Sequence, residues 1–232
     1  MAGDGSSSAN EILQSAKKVP FARRVGAVVL GPVARALASV GVTANAVTAF
    51  SLALAAAGGL SLAFGRFGLA TLLVVVASIG DAIDGLLARE TKTVSPGGAL
   101  FDSSVDRYEE LFIFGGLAFF FRESAWILSA ALLAVGGSFM VSYGSAKAEA
   151  FGIAVPQGIM RRADRAIVAC LGIALVPIAR FLAPRFDLPT WLETAPAVAA
   201  LVIVGVLANV SAALRLRVIA REANRRAKEG PR

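Results

Sequence analysis

Residues 81–106 read DAIDGLLARETKTVSPGGALFDSSVD. This stretch sets Asp81, Asp84, Asp102 and Asp106 in a chain otherwise apolar enough to be lipid-facing helix, where a carboxylate is costly unless it has a partner. Such a concentration of acids implies a metal. Asp81 and Asp84 stand at i, i+3 and Asp102 and Asp106 at i, i+4, so each pair projects from one face of its own helix. Two such helices side by side make an all-oxygen site, which suits Mg2+ or Mn2+; zinc is disfavoured, since the chain has no histidine and only Cys170 offers sulfur. Gly85 and Gly98 allow a ligand close to the backbone, and Arg89 is a planar, permanently charged clamp for phosphate.

The surrounding composition sets the medium. The chain has 232 residues, 56% of them hydrophobic and 17% charged, with mean hydropathy +0.71, which describes an integral membrane protein of one domain. The expected fold is all-α: six transmembrane helices preceded by an N-terminal amphipathic helix lying in the membrane interface. Residues 1–16 form a polar tail without the pattern of a signal peptide. Residues 17–40 mix Arg23, Arg24 and Arg35 with valines and leucines, which suits an interfacial helix. Residues 41–220 carry the spans, expected near 46–64, 67–87, 103–121, 126–148, 166–182 and 195–214, each close to the roughly 20 residues a bilayer needs. Residues 221–232 are a basic tail. Cys170, alone, supports no disulfide and reads as a small packed hydrophobe.

Charge gives the orientation. Of 23 Lys and Arg residues, only Arg66, Arg122, Arg180 and Arg185 fall on the side of the short breaks; the other 19 lie with the tails and the aspartates. By the positive-inside rule both termini and the acidic site face the cytoplasm. The net charge of +7 lies beside hydrophobic segments rather than in an aromatic-studded groove, so anionic lipid headgroups and phosphate-bearing substrates are the expected partners and nucleic acid is not.

Two further stretches carry chemistry. In GVTANAVT, residues 41–48, Thr43 or Asn45 can cap a helix start. The stretch from Tyr143 to Arg165 gathers Lys147, Arg161, Arg162 and Arg165 on the aspartates' side of the membrane, either as a cationic pocket beside the metal or as the positive-inside signal alone.

The spacing D-x-x-D-G-x-x-A-R, eight residues, G-x-x-x-D-x-x-x-D is met by Asp81, Asp84, Gly85, Ala88, Arg89, Gly98, Asp102 and Asp106, and it resembles the motif of the CDP-alcohol phosphatidyltransferases. That resemblance implies two bound metal ions held by Asp81, Asp84, Asp102 and Asp106, with Asp106 also the general base. It implies a CDP-lipid such as CDP-diacylglycerol held by Gly85 and Arg89, with Ser95 and Gly98 nearby in the motif loop. Asn45 and Thr48 are further nucleotide contacts or plain helix-cap residues, and Ala44 stands where the family commonly has proline. A homodimer in a bacterial inner or plasma membrane is implied as well. Ser142 to Glu149, with Arg162 and Arg165, resembles the phosphatidylinositol phosphate synthases, although those tend to have arginine at Lys147 and a cation at Ser145. Lys147, Arg162 and Arg165 are accordingly expected to bind the phosphate of an inositol phosphate acceptor, by charge-assisted hydrogen bonds. Glycerol 3-phosphate is the alternative acceptor.

Two other classes use similar acids. Membrane prenyltransferases pair DxxD motifs with magnesium, but theirs lie far apart in a larger bundle. A divalent-cation transporter needs polar groups on successive helices, and the spans outside the motif contain almost none.

Overall fold

The computed structural model describes residues 21–154 and 158–229, all helices and turns. The expected polar tail and the first residues of the interfacial helix lie outside these. Seven α-helices follow in order: α1 (Phe21–Ser39), α2 (Ala44–Ala63), α3 (Phe67–Glu90), α4 (Pro96–Phe120), α5 (Ala125–Ala150), α6 (Arg162–Leu182) and α7 (Ala195–Glu229). Two short 3-10 turns, Ala183–Phe186 and Thr190–Glu193, join α6 to α7.

The helix after the interfacial one is followed by five more, as the apolar runs require. Five of the six are long and apolar enough to cross a membrane; α4 matches them in length but carries Asp102, Asp106, Arg107, Glu109 and Glu110. Large side chains such as Leu72, Ile79, Leu132, Leu171, Ile178 and Val206 are exposed along the spans. A belt of that kind has lipid as its solvent.

Helices in lipid gain little from mutual apolar burial, so close packing must hold them, and small residues permit it. Gly59 of α2 and Gly116 of α4 meet backbone to backbone: a Cβ on the first would collide with the Phe112 carbonyl, and one on the second with Gly59. One turn-set away, Gly80 of α3 leaves room only for the Ser51 hydroxyl of α2. These two contacts set α3 and α4 each against α2, α3 beside Asp81 and α4 about three turns along from Asp106. The remaining core, including Leu62, Phe67, Phe114, Leu117, Ile173, Val176, Leu201 and Val204, lies toward the opposite end.

Three boundaries differ from the sequence reading. Helix α4 starts at Pro96 rather than near residue 103, because Ser95 caps it by accepting from the Gly98 amide at 3.1 Å and Pro96 opens the first turn. Gly98 therefore sits inside α4 and not in a loop. Likewise α6 begins at Arg162, four residues before the apolar run, where Asp164 Oδ2 accepts from the Arg161 amide at 2.8 Å and from its Nε at 3.2 Å. Finally, α7 runs unbroken through residue 220 to Glu229, where Arg226 Nη1 donates to the carbonyls of Phe151 (3.1 Å) and Gly152 (3.2 Å) at the end of α5. Helix α1 packs on the end of α3, with Ala34 buried against Ile83 and Leu87 while Val28 and Val29 stay exposed.

Candidate active site

The link between α3 and α4 is only five residues, and its geometry brings the two halves of the acidic motif together. Helix α3 ends with Thr91 N donating to Leu87 O and Thr93 N to Ala88 O, both at 2.9 Å, and Lys92 takes the left-handed conformation (φ 56°) that reverses the chain. Helix α4 then turns back, and although α3 and α4 each pack on α2 rather than closely on one another, the carboxylates of Asp81 and Asp84 reach those of Asp102 and Asp106 across the gap between them.

The carboxylates form two trios that share one member. Oxygens of Asp81, Asp84 and Asp102 lie within 4.8 Å of one another, and so do oxygens of Asp81, Asp106 and Glu109. Like charges 4.8 Å apart repel by about 3.5 kcal/mol per pair at an effective dielectric of about 20, a cost that calls for a cation. Glu109 Oε1 is buried with no hydrogen-bond partner, an oxygen in want of a positive neighbour. An all-carboxylate set of this kind fits a hard divalent ion such as Mg2+ or Mn2+.

On one side of the acids is a groove of about 640 Å³ whose lining includes Thr43, Asn45, Thr48, Asp84, Gly85, Arg89, Ser95, Gly98 and Asp102. Every residue that the sequence assigned to the CDP-lipid is therefore brought to one place. Arg89 is exposed at its rim, and Gly85 leaves the floor open: a Cβ there would stand 3.7 Å from Arg89 Nη1. Thr43 caps α2 by accepting from Ala46 N at 3.2 Å, which leaves Asn45 free of that duty. Thr48 has a more specific partner than a nucleotide, since its hydroxyl lies 2.5 Å from Asp84 Oδ2 and 3.1 Å from Ala44 O. Held this way, Asp84 keeps one oxygen orientation, as second partners do for metal ligands.

On the other side lies a cavity of about 460 Å³ lined by Ser78, Asp81, Asp106, Glu109, Glu110, Arg162 and Arg165 among apolar neighbours. Arg162 and Arg165 are one turn apart on α6 and both face the acids. Arg165 is 1% exposed and donates from Nε (2.9 Å) and Nη2 (2.6 Å) to Glu110 Oε1, with Nη1 buried and unpartnered. Arg162 reaches Asp81, Glu109 and Asp106. Lys147, grouped with these arginines from the sequence, is not in this lining: it is exposed on α5 with its ammonium 5.7 Å from the Tyr143 ring.

Glu109 and Glu110 are additions to the site that the sequence reading missed. The signal was present, because Glu109 continues the ladder of Asp102 and Asp106 by one more turn on the same face of α4. Arg215 of α7 is held away from these linings: it donates to Ser145 of α5 and lies beside Gly158.

Comparison with known proteins agrees with this arrangement. The chain belongs to the CDP-alcohol phosphatidyltransferase family, whose model matches residues 41–183. It is thus a membrane phosphotransferase, and the rival transporter and prenyltransferase classes fall away. The phosphatidylinositol phosphate synthase of Mycolicibacterium smegmatis is 32% identical over 168 residues, which are 71% of this chain and 73% of that protein. Two crystal structures of the Mycobacterium tuberculosis phosphatidylinositol phosphate synthase, one with CDP-DAG bound and one with manganese and citrate, each match with a TM-score of 0.71 at 25% identity. Both matches cover 82% of this chain, and 93% and 88% of those chains respectively.

Proposed function

We propose that this chain transfers a phosphatidyl group from CDP-diacylglycerol to a hydroxyl of inositol phosphate, releasing CMP. The observation that carries this reading is that two carboxylate trios share Asp81 and open on chemically different spaces: Asp84 and Asp102 of one line a groove with the motif's Arg89, Gly85 and Gly98, while Asp106 and Glu109 of the other line a cavity with two arginines. The names of the similar proteins point to the same donor and acceptor. Glycerol 3-phosphate is the second reading of the acceptor, since its phosphate would meet the same arginines.

The chain's residues have separable tasks. Arg89 clamps the diphosphate at the groove rim, while Gly85 and Gly98 let it lie against the backbone. Asn45 and Ser95 border the nucleotide, and Thr48 acts one step back by orienting Asp84. Asp81, Asp84, Asp102 and Asp106, joined by Glu109, hold two divalent ions. When bound, these supply the charge that neutralises the diphosphate and the departing CMP. Asp106 takes the proton from the acceptor hydroxyl, which is far too weak an acid to react unaided at neutral pH. Arg162, with the free Nη1 of Arg165, holds the acceptor phosphate, and exposed Lys147 adds positive charge on that membrane face. The active site and both termini face the cytoplasm of a bacterial inner membrane, supported by the distribution of 19 of 23 basic residues, and the working unit is a homodimer.

CMP release from CDP-diacylglycerol in detergent, with inositol phosphate, glycerol 3-phosphate, serine and inositol offered in turn, tests the reading. Inositol phosphate is expected to give the fastest release, abolished by EDTA and restored by Mg2+ or Mn2+. Fastest release with serine or free inositol would sink the assignment of the arginines.

A further inference from the structure

One cation already stands on the inner carboxylate trio. Arg162 donates from Nη1 to Asp81 Oδ2 at 2.9 Å and from Nη2 to Glu109 Oε2 at 3.4 Å, and Nη2 also pairs with Asp106 Oδ1. A single guanidinium thus touches every member of the trio Asp81, Asp106 and Glu109. Among the described residues, no ion pair reaches Asp84 or Asp102 of the other trio. Arg162 thus meets all three members of the inner trio but only the shared Asp81 of the other, and there at a single oxygen, Oδ2.

A divalent ion bound to the inner trio and the guanidinium claim the same oxygens, and each repels the other. Arg162 is also placed to leave. It is the first residue of α6, it follows residues 158–161, which carry no helix, and its side chain is 39% exposed. A long side chain at such a position can change rotamer without displacing a helix. Arg165, one turn on and locked to Glu110 at 1% exposure, has no such freedom.

We propose that Arg162 is a removable internal counter-cation of the inner trio, drawn off by the phosphate of the acceptor, so that the second metal ion and the acceptor bind cooperatively while the first ion binds independently of both. This rests on the reading of the carboxylates as metal ligands and of the acceptor as a phosphate monoester. Its functional consequence concerns water. Asp106, the assigned base, is engaged by Arg162 until the acceptor arrives, so a water molecule in the acceptor's place meets a base that is already occupied. The CDP-lipid is thereby protected from hydrolysis in the absence of acceptor.

Linkage makes the coupling measurable from either ligand. The test is a Mn2+ titration of the full-length protein in detergent, following the electron paramagnetic resonance signal of free Mn2+, with inositol phosphate, with inositol, or with neither. In the wild type one ion binds tightly and a second at least about tenfold more weakly, and inositol phosphate tightens only the second, by about tenfold, within the range usual for coupled sites. Inositol has no effect. In Arg162→Gln the second ion binds tightly without inositol phosphate and no longer responds to it. Arg162→Lys, which reaches fewer oxygens, lies between the two and serves if the glutamine variant does not fold. Glu109→Gln keeps the first ion and loses the second. Two ions of equal affinity in the wild type, or a second ion indifferent to inositol phosphate, would overturn the proposal and leave the metal reading standing. An equal response to inositol phosphate in Arg162→Gln would overturn it too, because the phosphate would then be meeting the ion directly. Binding of no Mn2+ at all would overturn both readings.

Discussion

The groove beside Arg89 and the cavity beside Arg162 are built on the two sides of one row of carboxylates, yet they are held in opposite ways. On the groove side, Asp84 is positioned by a neutral hydroxyl, that of Thr48 at 2.5 Å, and apart from Arg89 and Asp102 the lining is uncharged. On the cavity side, Asp81, Asp106, Glu109 and Glu110 are all met by guanidinium groups. The groove is ready for a cation and a bulky donor, whereas the cavity is already charge-balanced and must exchange a partner to accept a ligand. The difference shows that like residue types on a single helix face can have unlike functions, according to what the neighbouring helices bring to them.

Four substitutions can break or sharpen that contrast. The largest effect is expected for Asp106→Asn, which removes the base of the cavity side: turnover should fall by about a hundred- to ten-thousandfold while CDP-diacylglycerol binding, measured separately, stays intact. Near-normal turnover would remove Asp106 from that role. Next comes Glu110→Gln, which leaves Arg165 charged and 1% exposed without its counter-ion and should cost about 3 kcal/mol of stability, seen as a lower melting temperature in detergent. An unchanged melting temperature would mean that the pair does not hold α4 to α6. On the groove side, Thr48→Val should raise the Mn2+ concentration needed for half-maximal activity by about 10- to 100-fold and leave the acceptor KM alone. A shift in acceptor KM instead would show that the two sides are not separate. Smallest is Lys147→Ala, whose exposed ammonium should change the acceptor KM by no more than about fivefold, against a much larger rise in Arg162→Ala. Equal effects would bring Lys147 back into the pocket.

Most of the groove side was legible in the sequence, because its members are close together along the chain. Asp81, Asp84, Gly85 and Arg89 occupy one helix, Ser95, Gly98 and Asp102 the start of the next, and a link of only five residues leaves few ways to arrange them. Thr48 was legible as a nearby residue but not as Asp84's partner. Its role depends on Gly80 admitting Ser51, a contact between helices that no spacing within one helix announces. The cavity side was read less completely. Its arginines were expected as a phosphate pocket, but the sequence contained no indication that one would sit on three carboxylates and the other be sealed against Glu110. Glu109 and Glu110 were passed over because the motif ends at Asp106, although the helical ladder continues.

By itself, then, the amino-acid sequence determined the medium, the helix count, the family and the acids that share each helix face, because hydropathy and the 3.6-residue period act along the chain. Which oxygen faces which cation was decided only by the tertiary structure. The rotation of α3, α4 and α6 about their own axes comes from where glycines let backbones touch, and from where charges taken out of water can find a partner.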